Sequence, residues 1–220
     1  ARIALIRSEP DVDAKVAKVP SHLAGDQGLI YERLRWRRRH GKYIPALEML
    51  ALQPVVLVKP EKWWRERRSL ARRNLRKGYI SRAYRLAAGH KQNYGLPLAE
   101  AEWLAGWIAL RSLADNAQAF KHFKRMFDAV QYPVSQARAA YWAGRAADAA
   151  GKFDIAHQRY QRAPTHMTRF YGQLAAGHLP SKARPKLPPE PQPTPEQKTA
   201  FGEKELVRLV GMLAEIGLKK

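Results

Sequence analysis

No cysteine occurs among the 220 residues. This excludes disulfides, a thiolate-held metal and a cysteine nucleophile, and fits a reducing or an oxidising compartment equally. No apolar run approaches the ~20 residues that a membrane-spanning helix needs. No signal peptide is visible at Ala1, so an exported protein would be read here in a mature or trimmed form. β-Branched residues are sparse outside 55–58 while Ala and Leu dominate, a balance that points to an all-α protein. Acidic residues are scarce too: 19 Asp and Glu stand against 40 Lys and Arg, for a net charge of +21. The excess is concentrated, with 18 basic and 4 acidic residues between positions 31 and 91. Such a chain favours polyanionic partners (nucleic acid, anionic lipid or a carboxylate-rich polymer), although solvated helix faces account for the same charges. There is no Gly-rich phosphate loop and no Gly-x-Ser-x-Gly elbow, and none of the seven His has a His partner four residues away. Neither metal nor cofactor is therefore expected.

What is present is a repeat. Apolar-periodic stretches break at Gly41, Gly78, Asp115 and Gly151, with spacings of 37, 37 and 36. An Ala follows each break by four or five residues (Ala46, Ala83, Ala119, Ala156), and four residues further on stand Leu50, Ala87, Phe123 and Tyr160. This reads as an antiparallel helical hairpin repeated in tandem. A turn residue ends the first helix, and a small residue lets the second approach closely. One hairpin cannot bury its own apolar face, so the units are expected to stack as a tetratricopeptide-like solenoid. Expected helices lie near 1–10, 22–40, 43–52, 61–77, 80–90, 98–114, 116–130, 134–150, 153–163 and 167–177, with Asp11–Ser21 as a connector. Val55–Val58, between Pro54 and Pro60, reads as an extended apolar connector.

Seven of the 15 prolines fall between Pro180 and Pro195, which reads as a linker without a core. A last helix near 203–216 carries Leu206, Val207, Leu209, Val210, Leu213 and Ile216 on one face, with Gly217 as its C-cap. The expected organisation is thus 1–179 as a superhelical domain, 180–195 as linker, and 196–220 as the start of a further helical segment. By the pattern of the earlier units, the chain reads as cut after the first half of a hairpin.

From about Leu29 to Leu179 the order of several segments is specific. They are Leu29-Ile-Tyr-Glu-Arg-Leu-Arg-Trp36, Trp63-Trp64-Arg65-Glu66-Arg67-Arg68, Glu102-Trp103-Leu104-Ala105-Gly106-Trp107, His122-Phe123, Ala137-Arg138-Ala139-Ala140-Tyr141-Trp142-Ala143-Gly144-Arg145, and Phe170-Tyr171-Gly172-Gln173. In this order they resemble the soluble lytic murein transglycosylases, most closely their α-proteobacterial branch. The resemblance implies a long superhelix of paired helices, bent into a U, that supports a separate lysozyme-like domain. In that family the catalytic domain cleaves the MurNAc–GlcNAc bond of peptidoglycan in the periplasm, with a 1,6-anhydro product, using one Glu as acid and then base. No Glu in this chain is followed by Ser, so the family's catalytic Glu-Ser is absent and no catalytic residue is carried over. The expected partners are peptidoglycan, whose peptide-stem carboxylates the basic face would attract, and the protein's own C-terminal catalytic domain. The competing reading is a basic helical-repeat adaptor for nucleic acid or another protein. Nucleic acid is the less expected partner, because aromatic and basic residues do not alternate as in a base-reading module.

Two groups of residues are singled out within this frame. Adjacent residues of a helix cannot both face one core, so one of Trp63 and Trp64 is expected at the surface beside Arg65, Arg67 and Arg68, as a candidate substrate-binding patch. Glu102, next to Trp103 on an apolar helix, would suit an acid only in a cleft. It is read instead as a buried carboxylate paired with Arg138 or Arg145 of a neighbouring helix, since a desolvated charge is tolerable only when paired.

Overall fold

The computed structural model describes residues 1–163, 170–181, 190–215 and 217. Among them the chain is all-helical, without a strand. The helices are α1 (Arg2–Arg7), α2 (Val12–Ala17), α3 (Gln27–Arg39), α4 (Tyr43–Ala51), α5 (Pro60–Arg76), α6 (Ile80–Ala88), α7 (Gly95–Ser112), α8 (Asn116–Ala129), α9 (Pro133–Ala149), α10 (Phe153–Arg162), α11 (Phe170–Gly177), α12 (Pro195–Gly202) and α13 (Glu205–Glu215), with a 3₁₀ turn at Ser21–Leu23. Two compact units result, Ala1–Pro185 and Lys186–Lys220. No described helix is long and apolar enough to cross a membrane.

In the first unit consecutive helices from α5 to α10 pack on one another, as do α3 on α4 and α4 on α5, and α3 also meets α5, α5 meets α7, α7 meets α9 and α9 meets α11. Three of the helix-to-helix turns share one hydrogen-bond pattern. Gly41, Gly78 and Gly151 take positive φ of 73°, 78° and 70°. The next residue then donates its backbone N–H back across the turn: Lys42 to Arg37 O at 2.8 Å, Tyr79 to Asn74 O at 2.9 Å, and Lys152 to Ala147 O at 2.9 Å. This is the Schellman closure, in which the left-handed residue favours glycine. Lys42, Tyr79 and Lys152 are also the N-caps of α4, α6 and α10, so the reversal takes the fewest residues. The α7–α8 turn differs: Ala114 supplies the positive φ (54°), and Asp115 is the N-cap of α8, its side chain accepting from Gln118 N at 3.0 Å.

The recurring alanines Ala46, Ala83, Ala119 and Ala156 are buried, as are Leu50, Ala87, Phe123 and Tyr160. Two glycines admit the larger of these side chains. A Cβ on Gly106 would lie 2.8 Å from the Phe123 ring, and one on Gly144 would lie 2.5 Å from the Tyr160 ring. Both aromatics therefore rest directly against the backbone of the preceding helix.

Several expectations need correction. The connector Asp11–Ser21 contains α2, because Val12 finds a buried place beside Ala4, Leu5 and Leu29. The helix expected from 22 begins only at Gln27, capped by Asp26, whose carboxylate accepts from Leu29 N at 2.7 Å. Val55–Val58 does connect α4 to α5 without helix or strand, as read; Val55, Val56 and Val58 are exposed, and their loop is pinned by Gln27, which donates to Val56 O at 3.1 Å and accepts from Val58 N at 2.8 Å. In the second unit a helix not anticipated, α12, starts at Pro195 behind a Thr194–Gln197 capping box. It packs on α13, whose Leu206, Leu209, Val210, Met212 and Leu213 are exposed. Residues 167–169 of the expected helix at 167–177, 182–189 of the expected linker, and Ile216 lie outside the described residues.

Tyr160 cannot swing away from Gly144 freely, because its hydroxyl donates to Asp148 Oδ2 at 2.6 Å. Gly144→Ala gains ~1 kcal/mol of helix propensity but overpacks a site where misfit costs about 1–3 kcal/mol. A net loss of about 1 kcal/mol is expected in urea unfolding; an unchanged or raised midpoint would show that the ring is not held against the backbone.

Candidate functional site

Helix α5 carries the patch that the sequence singles out. It is packed against α3, α4, α6 and α7, so two of its sides are covered. Adjacent residues, about 100° apart around a helix, then each meet a different neighbour. Trp63 lies edge-on to Tyr31 of α3, with ring centroids 5.4 Å apart, while Trp64 lies edge-on to His90 at 6.2 Å. Both indoles are buried at 2% exposure. The expectation that one of the pair is exposed is therefore corrected: it assumed a helix covered on one face, whereas α5 is flanked by α3 and α7, and both indoles join one core around it.

The three arginines beside them separate. Arg67 turns inward and donates to Leu86 O at 3.3 Å and to Gln53 Oε1; burial pulls its guanidinium down to about 10. Arg68 pairs with Glu100, which also accepts from Trp64 Nε1 at 3.2 Å. Arg65 is exposed. Arg65 and Arg68 share a groove of about 550 Å³ with Arg38 of α3 and with Arg72, Arg76 and Ser69 of α5. Arg38, Arg72 and Arg76 were not singled out from the sequence. The signal was available in the spacing 65, 68, 72, 76, which places four arginines on one helical face. Beneath the groove Arg38 makes a forked pair with Glu66, one arm of it Nη2 to Oε1 at 3.2 Å. Glu66 is 1% exposed. The fork raises the Arg38 pKa.

Glu102 is fully buried on α7, and its partners are not the expected ones. His90 Nδ1 accepts the backbone N–H of Gln92 at 2.9 Å. That leaves the proton of the neutral ring on Nε2, which donates to Glu102 Oε1 at 3.0 Å. His122 of α8 donates from Nδ1 to Oε2 at 2.6 Å, and its Nε2 meets the Tyr84 hydroxyl at 3.0 Å. Arg125 of α8 adds Nη1 at 3.1 Å from Oε1. Arg138 instead lies 3.9 Å over the Trp103 ring, and Arg145 donates to the Tyr141 hydroxyl at 3.0 Å. The proposed Glu102–Arg138 and Glu102–Arg145 pairs are thus replaced. Both arginines sit on α9, whereas α8 is the helix whose side chains reach the carboxylate. The two histidines lie 12 and 20 positions from Glu102, a spacing that no local pattern flags.

Burial alone would raise the Glu102 pKa. The hydrogen bonds from His122 and His90 override it and hold the carboxyl at about 2. A carboxylate so held is ionised at neutral pH and, fully enclosed, reaches no substrate; the arrangement braces helices and does not donate protons. No group of three or more His, Asp or Glu among the described residues is placed to hold a metal. No family model, curated protein or solved structure matches the chain.

The depressed Glu102 pKa fixes a pH dependence. The folded carboxyl ionises more readily than the unfolded one, so its contribution is complete above the ordinary value of 4.5 and disappears as pH falls through that value toward about 2. Glu102→Gln is expected to destabilise the first unit by about 3 kcal/mol at pH 7, as measured by denaturant unfolding. The gap to the unaltered protein should close by about 3 kcal/mol between pH 5 and pH 2. A gap that stays constant with pH would mean that the charge on Glu102 plays no part in holding the histidines.

Proposed function

We propose that this chain is the non-catalytic helical scaffold of a periplasmic peptidoglycan lytic transglycosylase, an α-superhelix of antiparallel hairpins whose chemistry resides on a separate domain of the same protein. The observation that carries the reading is where the resembling segments lie. Trp63-Trp64, Glu102-Trp103 and Tyr141-Trp142 each face a neighbouring helix: Trp63 meets Tyr31, Trp64 meets Glu100, and Trp103 meets Trp142. Trp103 and Trp142 stand 6.1 Å apart, and Phe123 stacks on Trp142 at 5.9 Å. These are the residues of a stacking seam, and their large aromatic surfaces serve helix-to-helix contact. The contacts between alternate helices (α3 with α5, α5 with α7, α7 with α9) also support a stack of hairpins. In that reading the single deeply enclosed carboxylate of α7 is a brace, and cleavage of MurNAc–GlcNAc bonds belongs to the other domain.

The reading is tested by sedimenting the purified 220-residue protein with murein sacculi and analysing the released fragments in parallel. Weak, salt-sensitive retention on the sacculi is expected, with no 1,6-anhydro product. Anhydro-muropeptides formed by this chain alone, or no retention at low salt, would overturn it. Filter binding to DNA at about 150 mM salt separates the adaptor reading, since non-specific phosphate contacts weaken steeply with salt; retention that persists there favours the adaptor.

A further inference from the structure

The arginine groove on α5 has a chemistry that packing does not require. Arg65, Arg68, Arg72 and Arg76 follow one another by about a turn, so their face runs for ~16 Å at a 1.5 Å rise per residue. Arg38 faces them from α3, and no acidic side chain lines the groove. Two of the five guanidinium groups are neutralised from below, Arg38 by Glu66 and Arg68 by Glu100. The other three, Arg65, Arg72 and Arg76, are exposed and make no ion pair with any described carboxylate. Guanidinium groups are charged at neutral pH, so Arg72 and Arg76, four residues apart in this row, repel one another with no described carboxylate paired to either.

We propose that this groove is a binding site for an acidic peptide, with Arg65, Arg72 and Arg76 as the free contacts and Arg38 and Arg68 as the fixed floor. The guanidinium fork matches a carboxylate in two-point geometry, and Glu66 and Glu100 already occupy two of these arginines from the protein side. In an extended peptide, side chains two residues apart share a face at roughly 6.6 Å. That is close to the one-turn interval of the arginines, so an alternation of acidic residues would track the row. Single-stranded nucleic acid fits less well, because its sites combine charge with aromatic platforms for the bases, and the groove lining holds no aromatic side chain. The source of the peptide rests on the function proposed above, in which it would be an acidic peptide stem of peptidoglycan; the site itself rests on the arginine geometry.

The test is fluorescence anisotropy of a labelled hexaglutamate on the full 220-residue chain, beside a labelled hexaglutamine and a DNA oligomer of equal charge. Two variants are compared. R65A/R72A/R76A empties the groove, and K121A/K152A/K198A removes the same charge from exposed positions elsewhere; circular dichroism melting checks that both stay folded. Hexaglutamate should bind, hexaglutamine should not, and the groove variant should lose at least about tenfold in affinity while the control changes less than about twofold. Equal loss in both variants, no binding of hexaglutamate, or tighter groove-dependent binding of the DNA would overturn the assignment. Sacculus retention of the same variants keeps the two proposals apart. Retention without hexaglutamate binding removes the groove and leaves the scaffold; groove binding without retention does the reverse.

Discussion

A carboxylate taken out of water must be met by donors from the helix that covers it, and much of the first unit's architecture follows from that constraint. Glu66 on α5 is met by Arg38 of α3. Glu100 on α7 is met by Arg68 and Trp64 of α5. Glu102, on the same helix, is met by His90 and by His122 and Arg125 of α8. Glu66 and Glu102 thereby fix the position of one helix against the next, because a slip of one residue would leave an ion buried without its partner, while the half-buried Glu100 adds a weaker tie. Apolar contacts such as Leu34, Leu70 and Ile108, all fully buried, supply the larger part of the burial but tolerate sliding. The ion pairs supply register.

The same constraint shapes the surface. Acidic residues are half as numerous as basic ones, and several of them are committed to the interior. The basic residues that outnumber them have to face solvent. On α5 this leaves a row of four arginines, with Arg68 tied down from below and three free, faced by Arg38 of α3, which Glu66 ties down in turn. Interior ion pairing and exterior charge are therefore two consequences of one composition. The groove is a place where they meet, because Arg38 and Arg68 belong to both.

Glycine and aromatic residues provide a second, complementary device. Gly106 and Gly144 bring the backbones of α7 and α9 against the rings of Phe123 and Tyr160. The recurring alanines let the partner helix come close from its own side. Trp103 then fills the space among α7, α9 and Arg138, with the guanidinium over its ring. Large and small residues alternate across the contacts, as close packing demands.

By itself the sequence determined the all-α class, the positions of most helices in the first unit, and the hairpin turns. Those properties are local. A glycine at a positive φ, an Ala at a fixed offset and an apolar period of 3.6 act within a few residues of one another, so a short window contains the information. In the first unit α2 escaped, and in the second α12, both short helices that begin directly after or within stretches read as connector or linker. Only the tertiary structure decided which way each side chain of α5 faces and who meets Glu102. The adjacent Trp63 and Trp64 are both buried because α3 and α7 flank the same helix, and no property of residues 60–76 reveals how many neighbours that helix has. Glu102 takes two histidines 12 and 20 positions away in preference to the arginines of α9, because the partners of a buried charge are set by the segments the fold brings over it, here the residues after α6 and helix α8, and sequence spacing carries no information about that.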